Sequence, residues 1–187
     1  MALADHGEAD MPHTIEPAAT GRAKCRACGD PIGKGELRFG ERLPNPFGDE
    51  GSETTHWYHP LCGAYRRPES FAEVLETYAA DLSDRDALAA AVSSGRAHPR
   101  LERINGVERA ASGRARCRQC REAIEKDTWR IALVYLDEGM ANPAGNIHLS
   151  CAQTYFDTTD LLDRLQHFGG DLAVDEVAEL RAGLGGD

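Results

Sequence analysis

The stretch "GRAKCRAC" at residues 21–28 recurs as "GRARCRQC" at residues 113–120. The similarity extends beyond these letters, because "HPLC" at 59–62 is answered by "HLSC" at 148–151. The distance from the first motif to the second is nearly the same in both copies. Self-similarity of this kind indicates a repeated structural unit. The chain of 187 residues is therefore predicted to contain two copies of one small unit.

All six cysteines fall into this repeated pattern, in which Cys-x-x-Cys is followed at a distance by His-x-x-Cys. Three thiolates and one imidazole complete a tetrahedral shell, which is typical of structural zinc and leaves no position for an activated water. Soft sulfur ligands also disfavour magnesium and calcium. The sequence predicts two Zn²⁺ ions, one per unit, with these ligands: Cys25, Cys28, His59, Cys62, Cys117, Cys120, His148 and Cys151.

Disulfides and a redox dithiol are the alternatives for these cysteines. The acidic N-terminus lacks the features of a secretion signal, and no apolar run has the length of a membrane span, so we expect a cytoplasmic protein without membrane contact. Thiols stay reduced in that compartment, which favours metal over disulfides. His56 competes with His59 for the ligand role, but only His59 keeps the spacing that His148 has in the other copy.

The fold class predicted is α+β, with two tandem zinc-stabilised domains that each combine a short antiparallel sheet with C-terminal helices. The segments "GELRFGERL" and "DTWRIALVYL" have the composition of strands, and the segments after each His-x-x-Cys have helical spacing. "SSGRAHPRLERINGVE" has the composition of a loop-like connector. The predicted domains are an acidic tail at 1–14, the first finger at 15–95, a linker at 96–106 and the second finger with an acidic helical tail at 107–187.

The net charge of −10 argues against a nucleic-acid partner, but its distribution does not. Residues 1–20 and 157–187 carry the acidic excess, whereas residues 21–42 and 107–131 are net basic. Both basic regions coincide with the repeated motif. Acidic ends can simply be solvated, or they can limit indiscriminate binding to polyanions.

The lead-ins "TGRAKCRAC" and "SGRARCRQC", together with "HWYH" before Cys62, resemble the PARP-type zinc finger. This resemblance covers nearly the whole chain as two tandem fingers. It implies binding to DNA nicks, gaps and ends without sequence preference. It also implies that no catalytic residues and no enzymatic activity are present, because none of the family's catalytic parts is recognisable.

The resemblance assigns phosphate contacts to the arginine of each lead-in and of each first strand. It assigns base stacking to apolar residues in the loop before the histidine, where the second copy lacks an aromatic residue. The DNA-contact residues that it implies are Arg22, Arg38, Arg114 and Arg130 for the backbone, and Phe47, Leu43 and Met140 for base faces.

Physical reasoning leaves alternatives beside this interpretation. A zinc ion with three thiolates carries a negative charge, so nearby cations can balance the metal site instead of binding phosphate. Trp57, Tyr58 and Tyr135 are expected in the core around the metal or the sheet.

The main alternative function is a zinc-stabilised protein-interaction module with little DNA affinity. The expected partners are broken duplex DNA and repair proteins, the chain is expected to be monomeric, and a bacterial version would associate with the nucleoid.

Overall fold

A computed structural model describes residues 13–45, 47–137 and 140–185, and of Met140 only the backbone. The first unit contains β1 (Thr14–Pro17), β2 (Leu37–Pro44), β3 (Glu53–Tyr58), α1 (Pro60–Arg66), α2 (Pro68–Thr77) and α3 (Arg85–Ala97). A 3-10 helix, Pro99–Arg103, leads to the second unit. That unit contains β4 (Ile104–Arg109), β5 (Trp129–Asp137), β6 (Met140–His148), a 3-10 helix Leu149–Cys151, α4 (Ala152–Phe156), α5 (Leu162–Gly169) and α6 (Val174–Gly183).

Both units have the same antiparallel sheet, in which the three strands lie in chain order. The register also repeats, because Glu16 lies opposite Arg38 in the first sheet and Glu108 lies opposite Arg130 in the second. The predicted α+β class is therefore confirmed. In the part of the chain that the structure describes, no helix has both the length and the apolar character needed to cross a bilayer.

Each unit has its own hydrophobic core between its sheet and its helices. Phe39 and Phe71 are fully buried in the first core, and Ile131 and Phe156 are buried in the second. Burial of each such side chain contributes about 1.5–3 kcal/mol. Phe168 on α5 packs against both cores. The two units are thus joined through a helix of the second one.

The connector between the units is largely helical, which corrects the expectation of a loop over residues 93–108. Helix α3 continues to Ala97, and the 3-10 helix follows after His98. Close packing explains why a glycine, Gly95, stands inside α3: a Cβ there would lie 3.0 Å from Cβ of Pro68 on α2. The composition was misleading because a glycine inside a helix reflects helix–helix contact here. The domain boundaries themselves stay predictions.

At two equivalent backbone positions with positive φ, the first unit has glycine and the second unit has a different residue. Gly29 has φ 83°, and its counterpart Arg121 has φ 71°. Gly35 has φ 85°, and its counterpart Asp127 has φ 64°. The left-handed conformation costs a residue with a side chain roughly 1–2 kcal/mol. The second unit therefore carries backbone strain that the first avoids.

Replacement of Gly29 by alanine is expected to lower the free energy of unfolding of the zinc-loaded protein by about 1 kcal/mol. Nothing lies within 4 Å of the added Cβ, so the cost arises from the backbone conformation alone. Gly21→Ala is the matched control, because its Cβ would make an ordinary contact of 3.6 Å with Lys34 N. Denaturant titration measures both variants, and equal midpoints would contradict the conformational explanation.

Candidate metal centres and nucleic-acid interface

Each Cys-x-x-Cys pair lies on a tight turn that is closed by backbone hydrogen bonds. In the first unit the amide of Cys25 donates to the carbonyl oxygen of Asp30 at 2.8 Å. In the second unit the amide of Cys117 donates to the carbonyl oxygen of Glu122, also at 2.8 Å. The turn brings both thiols of a pair to one side, which allows them to bind one ion.

The two His-x-x-Cys segments lie where the last strand of each sheet ends. His59 follows β3 and is the N-cap residue of α1, with Pro60 in the first helical turn. Cys62 follows in the same helix and is 1% exposed. His148 ends β6, and Cys151 ends the short 3-10 helix that follows. The strand fixes the histidine, and the helical turn brings the cysteine back beside it.

In each unit the four ligand atoms lie within 4.8 Å of one another. Sγ of Cys28 lies 3.5 Å from Nδ1 of His59, and Sγ of Cys120 lies 3.4 Å from Nδ1 of His148. Zinc–ligand bond lengths predict a sulfur–nitrogen distance of about 3.6 Å in a tetrahedral site. The geometry therefore fits one zinc ion per unit, and the eight predicted ligands come together as two clusters.

The second histidine ligand is oriented by the backbone. Nε2 of His148 lies 3.1 Å from the carbonyl oxygen of Ala123. A carbonyl only accepts, so Nε2 carries the proton and Nδ1 presents its lone pair to the metal. Such a partner on the second ring nitrogen is usual for histidine ligands of zinc.

His56 is not part of either cluster. It lies on β3 opposite Glu41, and it is only 5% exposed. Burial, more than the positive charges of Arg26 and Arg67, lowers its pKa despite the nearby carboxylate. It is therefore a buried residue of the sheet, whereas His59 lies in the cluster with Cys25, Cys28 and Cys62.

The thiols of a metal-free site would hold protons very unequally. A hydrogen bond from Cys62 lowers the pKa of Cys25 to about 4, and the same contact raises the pKa of Cys62. Burial raises the pKa of Cys28 to about 11 and that of Cys151 to about 12. Although burial opposes it, hydrogen bonds from backbone amides lower the pKa of Cys117 to about 6. Zinc must displace the remaining protons, so acid favours its release.

Two closed Cys₃His shells, each built on a short turn and a three-stranded sheet, define a tandem zinc-finger protein that holds two zinc ions. Residues 16–93 match the family model described as the poly(ADP-ribose) polymerase and DNA-ligase Zn-finger region. The first unit thus matches the PARP-type zinc-finger family, as the sequence predicted. The second unit repeats the ligand set and the sheet order of the first.

Three poly(ADP-ribose) polymerases illustrate the similarity. The chain is 27% identical to that of Drosophila melanogaster over 160 residues, which cover 76% of this chain and 16% of that protein. It is 26% identical to that of Sarcophaga peregrina over 200 residues, covering 95% of this chain and 20% of that protein. It is 28% identical to poly(ADP-ribose) polymerase 1 of Gallus gallus over 138 residues, covering 66% and 13%. The chain thus spans only a small part of the length of these relatives.

The four arginines predicted to contact phosphate have two different environments. Arg22 and Arg114, on the turns before the cysteines, are exposed. Arg38 donates to Glu16 at 2.6 Å and lies 3.5 Å from the ring centroid of Trp57, with 12% of its side chain exposed. A phosphate can reach the first two directly, whereas it must compete with a carboxylate for Arg38.

Arg130 repeats the arrangement of Arg38 in the second unit. Its Nη2 donates to Glu108 at 2.7 Å, and its Nε donates to the same carboxylate oxygen at 3.0 Å. The side chain of Arg130 is 17% exposed. Both strand arginines are thus paired across the first two strands of their sheets. Their predicted role in DNA contact stays a prediction.

The residues predicted to stack on bases also differ from one another. Phe47 is 88% exposed, on the segment between β2 and β3, and its amide donates to Oδ1 of Asn45. Leu43 lies within β2 and is half-buried. The side chain of Met140 lies outside the described residues. Of the predicted stacking side chains that the structure describes, Phe47 is therefore the one that is free to meet a base.

Tyr135 is 49% exposed, which corrects its predicted position in the core. The pairing of β5 with β6 shifts register between Leu133 and Val134, so that both are buried. Side chains normally alternate between the two faces of a strand, and a bulge shifts that alternation. Tyr135 consequently faces outward on the long hairpin of the second finger. The bulge depends on the partner strand, so alternation along β5 alone could not reveal it.

The tryptophans are not simple core residues. Trp57 is half-buried beneath Arg38, whereas Tyr58 is buried as expected. Trp129 donates from Nε1 to Glu179 of α6 at 2.7 Å, and the same carboxylate oxygen accepts from Arg109 at 2.6 Å. The acidic last helix therefore covers one end of the second sheet. Simple solvation therefore does not fully describe the acidic segment that forms α6.

Proposed function

We propose that this protein binds broken DNA duplexes (nicks, gaps and ends) without sequence specificity, and that it acts in the cytoplasm by binding rather than by catalysis. The observation that carries the proposal is the exposed arginine on each zinc-anchored turn, Arg22 and Arg114, combined with the exposed aromatic ring of Phe47. The names of the similar proteins, poly(ADP-ribose) polymerases, and the ligase named in the family description support a link to DNA.

Arginine binds phosphate through charge-assisted hydrogen bonds that carry no sequence information. Such contacts release counterions, so the affinity falls steeply as salt rises. An intact duplex hides its base faces, whereas a break exposes them. An exposed phenylalanine gains about 1–3 kcal/mol by stacking on such a face, with little dependence on which base it is. Cationic turns and one stacking ring together thus favour a break over an intact duplex.

A protein-interaction module is the second candidate. The observation that favours it is the pairing of Arg38 with Glu16 and of Arg130 with Glu108, which occupies two of the four predicted phosphate contacts. In this alternative the acidic face of α6 would recruit a basic partner. DNA binding distinguishes the two proposals directly.

The first experiment compares two hairpin-capped duplexes that differ only by one nick, with the zinc-loaded protein and over a range of salt. Tighter binding to the nicked duplex that persists at moderate salt is the expected result. Weak and equal binding to both duplexes that disappears with salt would leave only nonspecific electrostatics. That outcome would favour the protein-interaction module.

Reversal of charge at both turn arginines, Arg22→Glu with Arg114→Glu, is expected to weaken DNA binding by more than about tenfold while both zinc ions stay bound. The neutral pair Arg22→Gln with Arg114→Gln should also reduce the salt dependence of the logarithm of affinity by about 2. The control is Arg96→Glu with Arg181→Glu, which changes the net charge equally on exposed residues of α3 and α6. Equal effects of the two charge reversals would contradict a specific role for the turns.

Replacement of Phe47 by alanine is expected to lower the preference for the nicked over the intact duplex by about tenfold, with little effect on binding to the intact duplex. The matched control is Val174→Ala, because Val174 is 89% exposed on α6, far along the chain from the zinc turns. Competition between the two duplexes measures the preference. An unchanged preference in the Phe47 variant would assign break recognition to other residues.

A further inference from the structure

Helix α5 of the second unit is docked on helix α1 of the first. Arg164 is 3% exposed, and its guanidinium donates to two carbonyl oxygens of the first unit, those of Tyr65 at 2.9 Å and Ala91 at 2.8 Å. The same guanidinium lies 4.4 Å from the ring centroid of Tyr65. Burying a charged group in this way is costly unless its donors are satisfied. The position of α5 on the first unit is therefore closely specified.

A second group of contacts fixes the end of α5. Arg66 of α1 lies over the ring of Phe168 at 4.3 Å and donates to Oδ1 of Asn105 at 2.9 Å. A Cβ on Gly106 would lie 2.6 Å from the carbonyl oxygen of Phe168, so this close approach requires glycine. Strand β4 and helix α5 together enclose the end of α1.

This docking brings His167 to the first zinc site. Its Nε2 lies 3.1 Å from Sγ of Cys62, a ligand that precedes it by 105 residues. The ring of His167 is held edge-on by Tyr65 at 5.2 Å and by Phe168 at 4.7 Å. A zinc-bound thiolate can only accept a hydrogen bond, so the imidazole donates from Nε2. At the equivalent ligand of the second finger, Cys151, Nδ1 of His148 lies at 3.9 Å, but this is a contact between two ligands of one site and Nδ1 carries no proton to donate.

We propose that His167 is a positioning residue of the first zinc site, so that the second unit supplies a hydrogen bond that holds Cys62 on the metal. Three thiolates give the Cys₃His site a net negative charge, and a donor to one sulfur offsets part of it. Replacing such outer partners typically costs 10- to 100-fold in metal affinity. The first finger thus retains its zinc fully only while the second unit is folded and docked.

The test follows zinc release from the full-length protein into excess chelator. The Cys28→Ser variant disrupts the first zinc site, so the phase of release that disappears in it belongs to the first finger. His167→Ala is expected to accelerate release from the first finger by about tenfold or more and to leave the second unchanged. His167→Gln, whose amide can still donate to the sulfur, should restore much of the slow release. His98→Ala, at the end of α3, is the control for loss of an imidazole elsewhere.

A purely structural role of α5 is distinguished by two further measurements. Phe168→Ala loosens the same interface without removing the donor, so its effect on release should be clearly smaller than that of His167→Ala. In the cadmium-substituted protein, His167→Ala should shift one of the two metal resonances in NMR spectra, whereas Phe168→Ala should shift it little. Unchanged release in His167→Ala, or equal effects of the two variants, would overturn the proposal.

Discussion

Replacement of His59 by alanine is expected to reduce the zinc content from two ions per chain to one and to unfold the first finger. Structural zinc contributes on the order of 10 kcal/mol to the folding of small metal-stabilised domains. That is comparable to the whole stability of a typical domain, about 5–15 kcal/mol. The core of this finger is small, and two of its buried residues, Cys25 and Cys62, are themselves ligands. Metal analysis together with circular dichroism measures both effects.

His56→Ala is the matched control, because His56 lies three residues before His59. It should retain two zinc ions, with only the loss of stability expected for a truncated buried side chain. Loss of one ion in His56→Ala, or retention of both ions in His59→Ala, would contradict the ligand assignment.

Replacement of Arg164 by methionine is expected to lower the free energy of unfolding by about 3 kcal/mol. Methionine keeps most of the apolar stem but leaves two buried carbonyl oxygens, those of Tyr65 and Ala91, without their donor. Burial lowers the pKa of Arg164 to about 10, so the guanidinium is charged at neutral pH, and its hydrogen bonds are the strong charged type. Denaturant unfolding of the zinc-loaded protein measures the change.

The control is Arg96→Met on α3. Arg96 pairs with Glu69 at 3.0 Å, but 52% of its side chain is exposed, and exposed ion pairs contribute only about 0–1 kcal/mol. Similar losses in the two variants would mean that the docking of α5 contributes little.

The zinc sites could be predicted completely because their ligands come in pairs only three residues apart. Local turns bring each pair together, and the repeat identifies which histidine is the ligand. The α+β class followed from segments with strand composition and segments with helical spacing in each copy. Chemistry that depends on short spacing is visible in a sequence, and here it included all eight ligands.

The environment of the predicted DNA contacts could not be read from the sequence. Pairing of Arg38 with Glu16 depends on strand register, which joins residues 22 positions apart. Exposure of Tyr135 depends on a bulge set by the partner strand. The contact between His167 and Cys62 spans two units, and no local pattern indicates it. In each case the decisive neighbour is distant in sequence.

The continuous connection between the fingers has a consequence for how they meet a ligand. Helix α3, the 3-10 helix Pro99–Arg103 and β4 follow one another with only His98 between them. Tandem modules on a flexible tether search for their second contact, and tether length sets the effective local concentration. Here the loss of orientational freedom occurs during folding, before any encounter. A ligand that engages both modules must therefore adapt its own geometry to the angle between them.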